Sequence, residues 1–264
     1  MAAPFGRRIC AVLTRSEVGA YVVLELADDC LPAQPGQFYM LAAVERWGGG
    51  DAERPFLARA ISALRARGDG RIAFLLEDVG PGTARLCELV AEDRVYVVGP
   101  LGKGFVAPED GREPLLVGGG VGIPPLAMFQ ERWGGRALLG FRDAHHAAGA
   151  SLLTEAELAT DDGSLGHHGF VTDLLDRVLA EQTDVVLYGC GPPAMLEAVR
   201  VQAGRHGVPA QLCLEAPMAC GFGACYGCVV ATVEGYKRVC VDGPVLDAAV
   251  LVCSSSAASS SRTR

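Results

Sequence analysis

Short apolar runs, broken by Gly, Pro and Asp, open the chain: Arg8–Leu13, Tyr21–Leu26, Gln37–Ala43, Arg71–Leu76 and Arg94–Val98 are rich in Val, Leu, Ile and aromatic residues. Runs of this kind at these spacings predict the strands of a small antiparallel barrel over residues 1–106. Gly80-Pro81 punctuates the pattern, and a helix is expected at Gly82–Val90. Trp47-Gly48-Gly49-Gly50-Asp51 reads as a loop by composition. Near Pro114 the pattern changes. Leu115-Leu116-Val117 predicts a strand, Gly118-Gly119-Gly120-Val121-Gly122 a turn, and Ile123–Trp133 a helix. Ala137–Phe141 and Val185–Tyr188 follow as strands, Val171–Glu181 and Pro193–Arg205 as helices. Strand alternating with helix implies a parallel sheet covered by helices. Val208–Leu214 is expected to close that sheet. The fold class is therefore α+β multidomain: a β-barrel (1–106), an α/β domain (107–214) and a small C-terminal module (215–253). The Ser/Ala-rich tail, 254–264, is expected to be disordered.

Composition narrows the function. The 264 residues are enough for two domains and a module, and the net charge is −8. The acidic balance, without a Lys/Arg block, argues against non-specific nucleic-acid binding. No run of about 18 apolar residues predicts a membrane span. The start, Met1–Arg8, has no apolar signal core behind it. A cytoplasmic, reducing setting is expected, where ten cysteines point to metal or redox chemistry rather than disulfides.

Four of those cysteines dominate the candidate chemistry. Cys220, Cys225 and Cys228 follow C-x4-C-x2-C, and Cys240 follows after eleven intervening residues. That is the ligand spacing of a plant-type 2Fe–2S centre, where soft thiolates hold two irons. Gly221, Gly223, Ala224 and Gly227 let the backbone wrap closely, and Phe222, Tyr226, Val229 and Val230 are placed to screen the core. Four thiolates also hold Zn²⁺, but structural zinc sites usually pair their cysteines as two short hooks. Cys10, Cys30, Cys87, Cys190, Cys213 and Cys253 are scattered and read as small buried or semi-exposed residues.

Other stretches suit nucleotide binding. The Gly118–Gly122 turn lies between a strand and a helix, where N–H groups and the helix dipole favour phosphate. It departs from G-x-G-x-x-G, and a plain tight turn is the competing reading. Tyr188-Gly189-Cys190-Gly191-Pro192-Pro193 sits at the carboxyl end of a later strand, where α/β sheets bind ligands. In the first domain, Arg59-Ala60-Ile61-Ser62 brings a planar cation for phosphate and a hydroxyl for a ring nitrogen. Gly80-Pro81-Gly82-Thr83 opens a helix as a second cradle. His145-His146 and His167-His168 are read as surface pairs, and 160–164 as a polar turn.

The order of these motifs is more specific than any one alone. With Gly99–Phe105, Ile123-Pro124-Pro125-Leu126, Cys190–Leu196, Leu214–Cys220 and Val239–Val245, the chain resembles the ferredoxin–NADP reductase superfamily. Within it, it is most similar to the electron-transfer subunits of NAD-dependent, class 1B dihydroorotate dehydrogenases, over about residues 7–250. The resemblance implies an FAD-binding barrel, an NAD-binding domain and a 2Fe–2S module. It places Arg59 at the FAD phosphates, Ile61 and Ser62 along the flavin, and Gly80, Gly82 and Thr83 at the pyrophosphate. Gly119, Gly120, Gly122, Cys190 and Gly191 would border the nicotinamide nucleotide, and Cys220, Cys225, Cys228 and Cys240 would ligate iron. It implies a partner as well, an FMN-containing dihydroorotate dehydrogenase catalytic subunit in a heterotetramer of two copies of each. Electrons would pass from that FMN through the cluster and FAD to NAD⁺, in de novo pyrimidine (UMP) synthesis. Ala60 stands where the family usually has Pro, so Arg54 and Arg59 both remain candidates for the phosphates, the spacing to Ser62 favouring Arg59. The glycines at 48–50 and the Ser-rich tail do not match family sequence. The alternatives are an FAD/2Fe–2S subunit of another NAD(P)H-linked oxidoreductase complex, and a zinc-stabilised, non-redox interaction module.

Overall fold

The computed structural model describes residues 6–29, 31–48, 55–108 and 111–252. Its first strands are β1 (Arg8–Val18), β2 (Tyr21–Ala27), β3 (Phe38–Ala43), β4 (Arg59–Arg65), β5 (Arg71–Leu76) and β6 (Arg94–Leu101). They close an antiparallel barrel in the order β1-β2-β5-β4-β3-β6. Period-two burial drives the closure: along β6 every second residue is buried, and Tyr39, Leu41, Phe74 and Val97 meet inside. β3 differs, because every residue of it is buried. Tyr39 and Leu41 fill the barrel, while Phe38 and Met40 belong to a second cluster shared with the C-terminal module. A strand covered on both faces reads as an unbroken apolar run, which is how 37–43 reads in the sequence.

β4 is absent from the expected strands, because Arg59, Ser62 and Arg65 dilute its apolar pattern. Pairing with β3 and β5 makes it a strand. The helix expected over Gly82–Val90 is α1 (Pro81–Cys87), which begins at Pro81, where the missing N–H has no helical partner to lose.

The second half contains β7 (Glu113–Gly119), α2 (Pro124–Trp133), β8 (Arg136–Phe141), α3 (Ala144–Ala147), β9 (Ala156–Thr160) and β10 (His167–His168). Then come α4 (Val171–Glu181), β11 (Val185–Cys190), α5 (Pro193–His206), β12 (Ala210–Cys213), the hairpin β13 (Val229–Thr232) and β14 (Gly235–Arg238), and β15 (Val245–Asp247). The sheet runs β10-β9-β8-β7-β11-β12-β15. Its pairs are parallel apart from β15, which is antiparallel to β12. Val208–Leu214 therefore does not close the sheet. The open edge of β12 is satisfied by β15, so the chain beyond 214 leaves the sheet and returns to it. Likewise Gly118 and Gly119 still belong to β7, and only Gly120–Gly122 turn, as one 3₁₀ step. β9 and β10 were not expected, since Ala156-Glu157-Leu158-Ala159-Thr160 and the His pair carry little apolar signal.

Helices α4 and α5 cover one face of the sheet through Leu174, Leu175, Leu196 and Val199. On the other face, Leu126 and Phe129 of α2 pack in one cluster with Leu64, Ala73 and Leu75 of the barrel, which fixes barrel and sheet together. β7 pairs with β8 on one side and β11 on the other. The strand order thus reverses between β7 and β11, and such a switch point opens a ligand crevice beyond the strands' carboxyl ends.

Candidate functional site

Between β12 and β13 the chain forms an irregular loop carrying three of the four motif cysteines. Cys228 and Cys240 are buried with Phe38, Met40, Leu101 and Val239, so the loop is seated on the outer face of β3. Close approach demands glycine there. A Cβ on Gly221, at φ +78°, would meet Met40 Cγ at 2.5 Å, and one on Gly223, at φ +90°, would meet Val241 at 2.7 Å. Arg238 donates to the Gly223 carbonyl at 3.2 Å and lies over the Tyr226 ring at 5.1 Å.

The sulfurs are surrounded by donors. The Gly227 N–H donates to Cys225 Sγ and the Cys240 N–H to Cys228 Sγ, each at 3.4 Å. Burial opposes ionisation of Cys220, but hydrogen bonds from Cys225, Phe222 and Ala224 outweigh it and bring its thiol down to about 6. Burial, with the Cys228 thiol alongside, pushes Cys240 up to about 12. Cys220 interacts with Cys225, and Cys240 with Cys228. Among the described residues, no three His, Cys, Asp or Glu side chains converge as one metal ion requires. Four thiols gathered in one loop and its hairpin, with backbone N–H groups on the sulfurs, fit the donor set of a two-iron core.

A cavity of roughly 260 Å³ lies between this module, the barrel and the sheet. Arg59, Ile61, Ser62 and Thr83 line it from the barrel, and Cys190 and Cys213 from the sheet. Arg59 lies so close to Gly82 that a Cβ there would stand 2.1 Å from its Nε. It donates to the Leu57 carbonyl at 2.5 Å and sits 5.7 Å from the Trp47 ring centre. Thr83 is engaged locally: its hydroxyl donates to the Gly80 carbonyl at 3.1 Å and accepts from the Val79 N–H at 3.0 Å. Arg54 lies outside the described residues. On the reading that puts Arg59 at the FAD phosphates, losing a charge-assisted hydrogen bond worth about 1.5–3 kcal/mol should make Arg59→Ala weaken FAD binding roughly 10- to 150-fold. Flavin fluorescence in a dialysis titration reads this directly, and unchanged affinity would hand the phosphate to Arg54.

A larger cleft, roughly 620 Å³, opens at the carboxyl ends of β7, β8, β9 and β11. Gly119, Gly120, Gly122 and Gly191 line it. Cys190, expected to border the nucleotide, lines the smaller cavity instead. The two spaces share Glu77, Val121 and Glu215. Glu215 is exposed at the mouth of these spaces, and partial desolvation there raises its carboxyl above the ordinary range.

Sequence reading missed Glu77, Glu215, Tyr21, Arg142, His146, Asp161 and Phe170, all of which line this cleft. Arg142 and Asp161 directly follow β8 and β9, so the strand-end rule would have found Arg142, and Asp161 too once β9 was recognised. His146 is not a surface residue as read: its side chain is only 13% exposed. It lies 2.6 Å from Asp143 Oδ1 and accepts from Arg142 Nε at 2.8 Å. The Tyr21 hydroxyl is buried with no hydrogen-bond partner among the described residues. Burial, then the nearby Glu77 carboxylate, pushes the pKa of this hydroxyl up and keeps it protonated. A polar ligand in this cleft would satisfy it.

Comparison with known proteins decides the family. The iron-sulfur cluster binding domain of dihydroorotate dehydrogenase B matches residues 215–252, the thiol loop and its hairpin. The dihydroorotate dehydrogenase B (NAD⁺) electron transfer subunit of Geobacillus thermodenitrificans is 38% identical, over 83% of this chain and 87% of its own. That of Listeria welshimeri is 36% identical over 90% and 95%. The chain belongs to this family of electron transfer subunits. Among solved structures, the NADH-dependent reduced ferredoxin–NADP oxidoreductase aligns with a TM-score of 0.79 at 25% identity, covering 94% of this chain and 91% of that one. The ferredoxin reductase of carbazole 1,9a-dioxygenase shares the fold, with a TM-score of 0.64 at 24% identity over 79% and 67%. For a family member, the fit is consistent: paired thiols, a cavity with an arginine at its rim, and a cleft at the switch point, in that order.

Proposed function

We propose that this chain is the electron-transfer subunit of a two-component dihydroorotate dehydrogenase. It would carry electrons from a catalytic partner to NAD⁺, in the service of pyrimidine synthesis in the cytoplasm. The carrying observation is contiguity. Phe38 packs in the cluster that buries Cys228 and Cys240, and it also lines the smaller cavity. That cavity shares its wall with the cleft through Glu77, Val121 and Glu215. A 2Fe–2S centre passes single electrons, NAD⁺ takes two as hydride, and FAD bridges the two because it holds either number.

The residues then divide the work. Cys220, Cys225, Cys228 and Cys240 hold the cluster, and the N–H groups around them stabilise its negative charge. Arg59 clamps the FAD phosphates, with Ile61 and Ser62 along the flavin and Gly80, Gly82 and Thr83 beside the pyrophosphate. Gly119, Gly120, Gly122 and Gly191 let the nicotinamide nucleotide approach the backbone, and Cys190 faces the junction from the flavin side. Asp161 suits ribose hydroxyls, and Arg142 is already paired with Glu77, which favours NAD⁺ over its 2′-phosphorylated form.

The partner reading adds an FMN-containing catalytic subunit, two copies of each chain together. Phe222, Tyr226 and Tyr236 are 57%, 64% and 81% exposed around the thiol loop, a surface suited to docking. Every described cysteine is a free thiol, as a reducing compartment requires. Among the described residues no helix is long and apolar enough to cross a membrane.

The test is an anaerobic visible spectrum of the purified chain, with iron and acid-labile sulfide assayed on the same sample. Flavin bands over broad iron–sulfur absorption, bleached by NADH and far less by NADPH, are expected. A protein that stays colourless after reconstitution with FAD, iron and sulfide would remove the reading and leave the zinc module.

A further inference from the structure

Cys190 and Cys213 end neighbouring parallel strands and stand directly opposite one another, one on β11 and one on β12. Parallel residues in register project from the same face, and both enter one buried cluster with Phe105, Tyr188 and Val245. Cys213 is close enough to Cys190 to raise its thiol above the ordinary range. Adjacent strands run about 4.8 Å apart, inside the roughly 4.4–6.8 Å that a disulfide spans between Cα atoms. Both residues are nearly inaccessible, at 2% and 3% exposure, yet both line the smaller cavity. The further contact of Cys213 is its thiol on the Gly36 carbonyl at 3.9 Å. Nothing in the proposed electron path requires a second thiol there.

We propose that Cys190 and Cys213 form a peroxide-responsive dithiol, whose oxidation to a disulfide slows electron exchange with NADH. The oxidant is hydrogen peroxide. One thiol attacks and becomes a sulfenic acid as the O–O bond breaks and one water leaves. The second thiol then displaces the hydroxyl as another water, and the S–S bond forms. Two electrons pass from the sulfurs to the peroxide oxygens, and both thiol protons leave in water. Size sets the selectivity. Peroxide is small enough to diffuse to two nearly buried sulfurs beside a bound flavin, whereas a bulky disulfide such as oxidised glutathione is not. The hydrogen bond with Cys213, together with burial, keeps Cys190 protonated well above the ordinary thiol range. The bond therefore forms slowly, under sustained oxidant rather than in each turnover.

The consequence follows from position. Cys190 precedes Gly191, whose backbone packs against Gly122 and rims the cleft. Drawing the two sulfurs into a bond shifts that strand end and the nicotinamide site with it. This effect on rate rests on reading the cavity and cleft as the flavin and nicotinamide sites.

The experiment treats the FAD-loaded chain with hydrogen peroxide, alkylates it, digests it without reductant and maps it by mass spectrometry. In parallel, flavin reduction by NADH is followed in a stopped-flow instrument. That half-reaction does not need the cluster, so peroxide damage to iron leaves the readout intact. The expected result is a Cys190–Cys213 linked peptide with hydrogen peroxide and not with oxidised glutathione. A loss of flavin reduction rate accompanies it, and dithiothreitol reverses both. Cys213→Ser, whatever its starting rate, shows neither the link nor the loss. No linked peptide at peroxide exposures that oxidise Met218 overturns the proposal, as does a linked peptide with an unchanged rate. Untreated protein that binds no FAD, or whose flavin NADH leaves oxidised, refutes the electron-transfer reading instead, and the peptide map still decides whether the pair links.

Discussion

Cys225→Ser is expected to abolish electron transfer between the partner subunit and NAD⁺ while leaving the flavin bound and reducible by NADH. The reason is where this cysteine sits. It is exposed, and its thiol accepts the Gly227 N–H at 3.4 Å. The packing that seats the module comes from Cys228, Cys240, Val239, Phe38 and Met40, none of which the substitution touches. The fold therefore survives, and on the proposed ligation what is lost is one of the four thiolates that would hold iron. A hydroxyl is a harder, far less acidic ligand than a thiol, so the site loses its match to iron. Three measurements separate the outcomes. Electron paramagnetic resonance of the reduced protein should lose the cluster signal, stopped-flow reduction of FAD by NADH should persist, and dihydroorotate-dependent NADH formation in the assembled complex should fall to background. Normal cluster absorption together with normal coupling would falsify the ligand assignment.

Gly122→Ala should produce the second large effect, this time at the cleft. A methyl group there would stand 2.6 Å from Gly191 Cα and 2.8 Å from its nitrogen. Both atoms are backbone, so no side chain can swing aside. β7 and β11 are paired up to Gly118 and Cys190, so the turns beyond them must separate to admit the methyl. Overpacking of this sort costs about 1–3 kcal/mol. Because it opens the crevice proposed for the nucleotide, NADH-dependent flavin reduction should fall roughly 5- to 150-fold if that energy is expressed in binding. FAD content and the cluster spectrum should stay intact. Gly120→Ala is the internal comparison. Its neighbourhood is open, and its φ of +53° imposes only the backbone strain of about 1 kcal/mol that glycine avoids. Its effect on NADH kinetics should be clearly the smaller. Equal kinetics for Gly122→Ala and the unmodified chain would remove the glycine turn from the nucleotide site.

Local chemistry was legible wherever neighbours in sequence are also neighbours in the site. The C-x4-C-x2-C loop places three thiolates within nine residues, and only a wrapped loop with glycines at its bends can present them together. β5 and α4 matched their expected limits, because Arg71–Leu76 and Val171–Glu181 carry strong periodicity of their own. The misses share a cause. β4, β9 and β10 have weak apolar patterns and exist because partners pair with them. His146, one of two adjacent histidines, is drawn inward by Asp143, Arg142 and Tyr21, and nothing in a His-His dipeptide tells which ring turns in. Cys30, Cys253, Arg54, Gly49-Gly50 and the Ser-rich tail lie outside the described residues.

The sequence by itself determined the kinds of chemistry available and their order along the chain: an arginine and hydroxyl on a barrel, glycine turns after parallel strands, then four thiols at iron–sulfur spacing. Tertiary structure alone decided how those parts meet. It put both faces of β3 to use, one inside the barrel and one under the thiol loop, and it returned β15 to the edge of β12. It also made Glu77 and Glu215 the shared wall of two spaces and set Cys190 against Cys213. Each of these depends on strand register and packing between residues far apart in the chain, and a side-chain pattern with a period of two or 3.6 specifies which face is apolar without naming what will cover it.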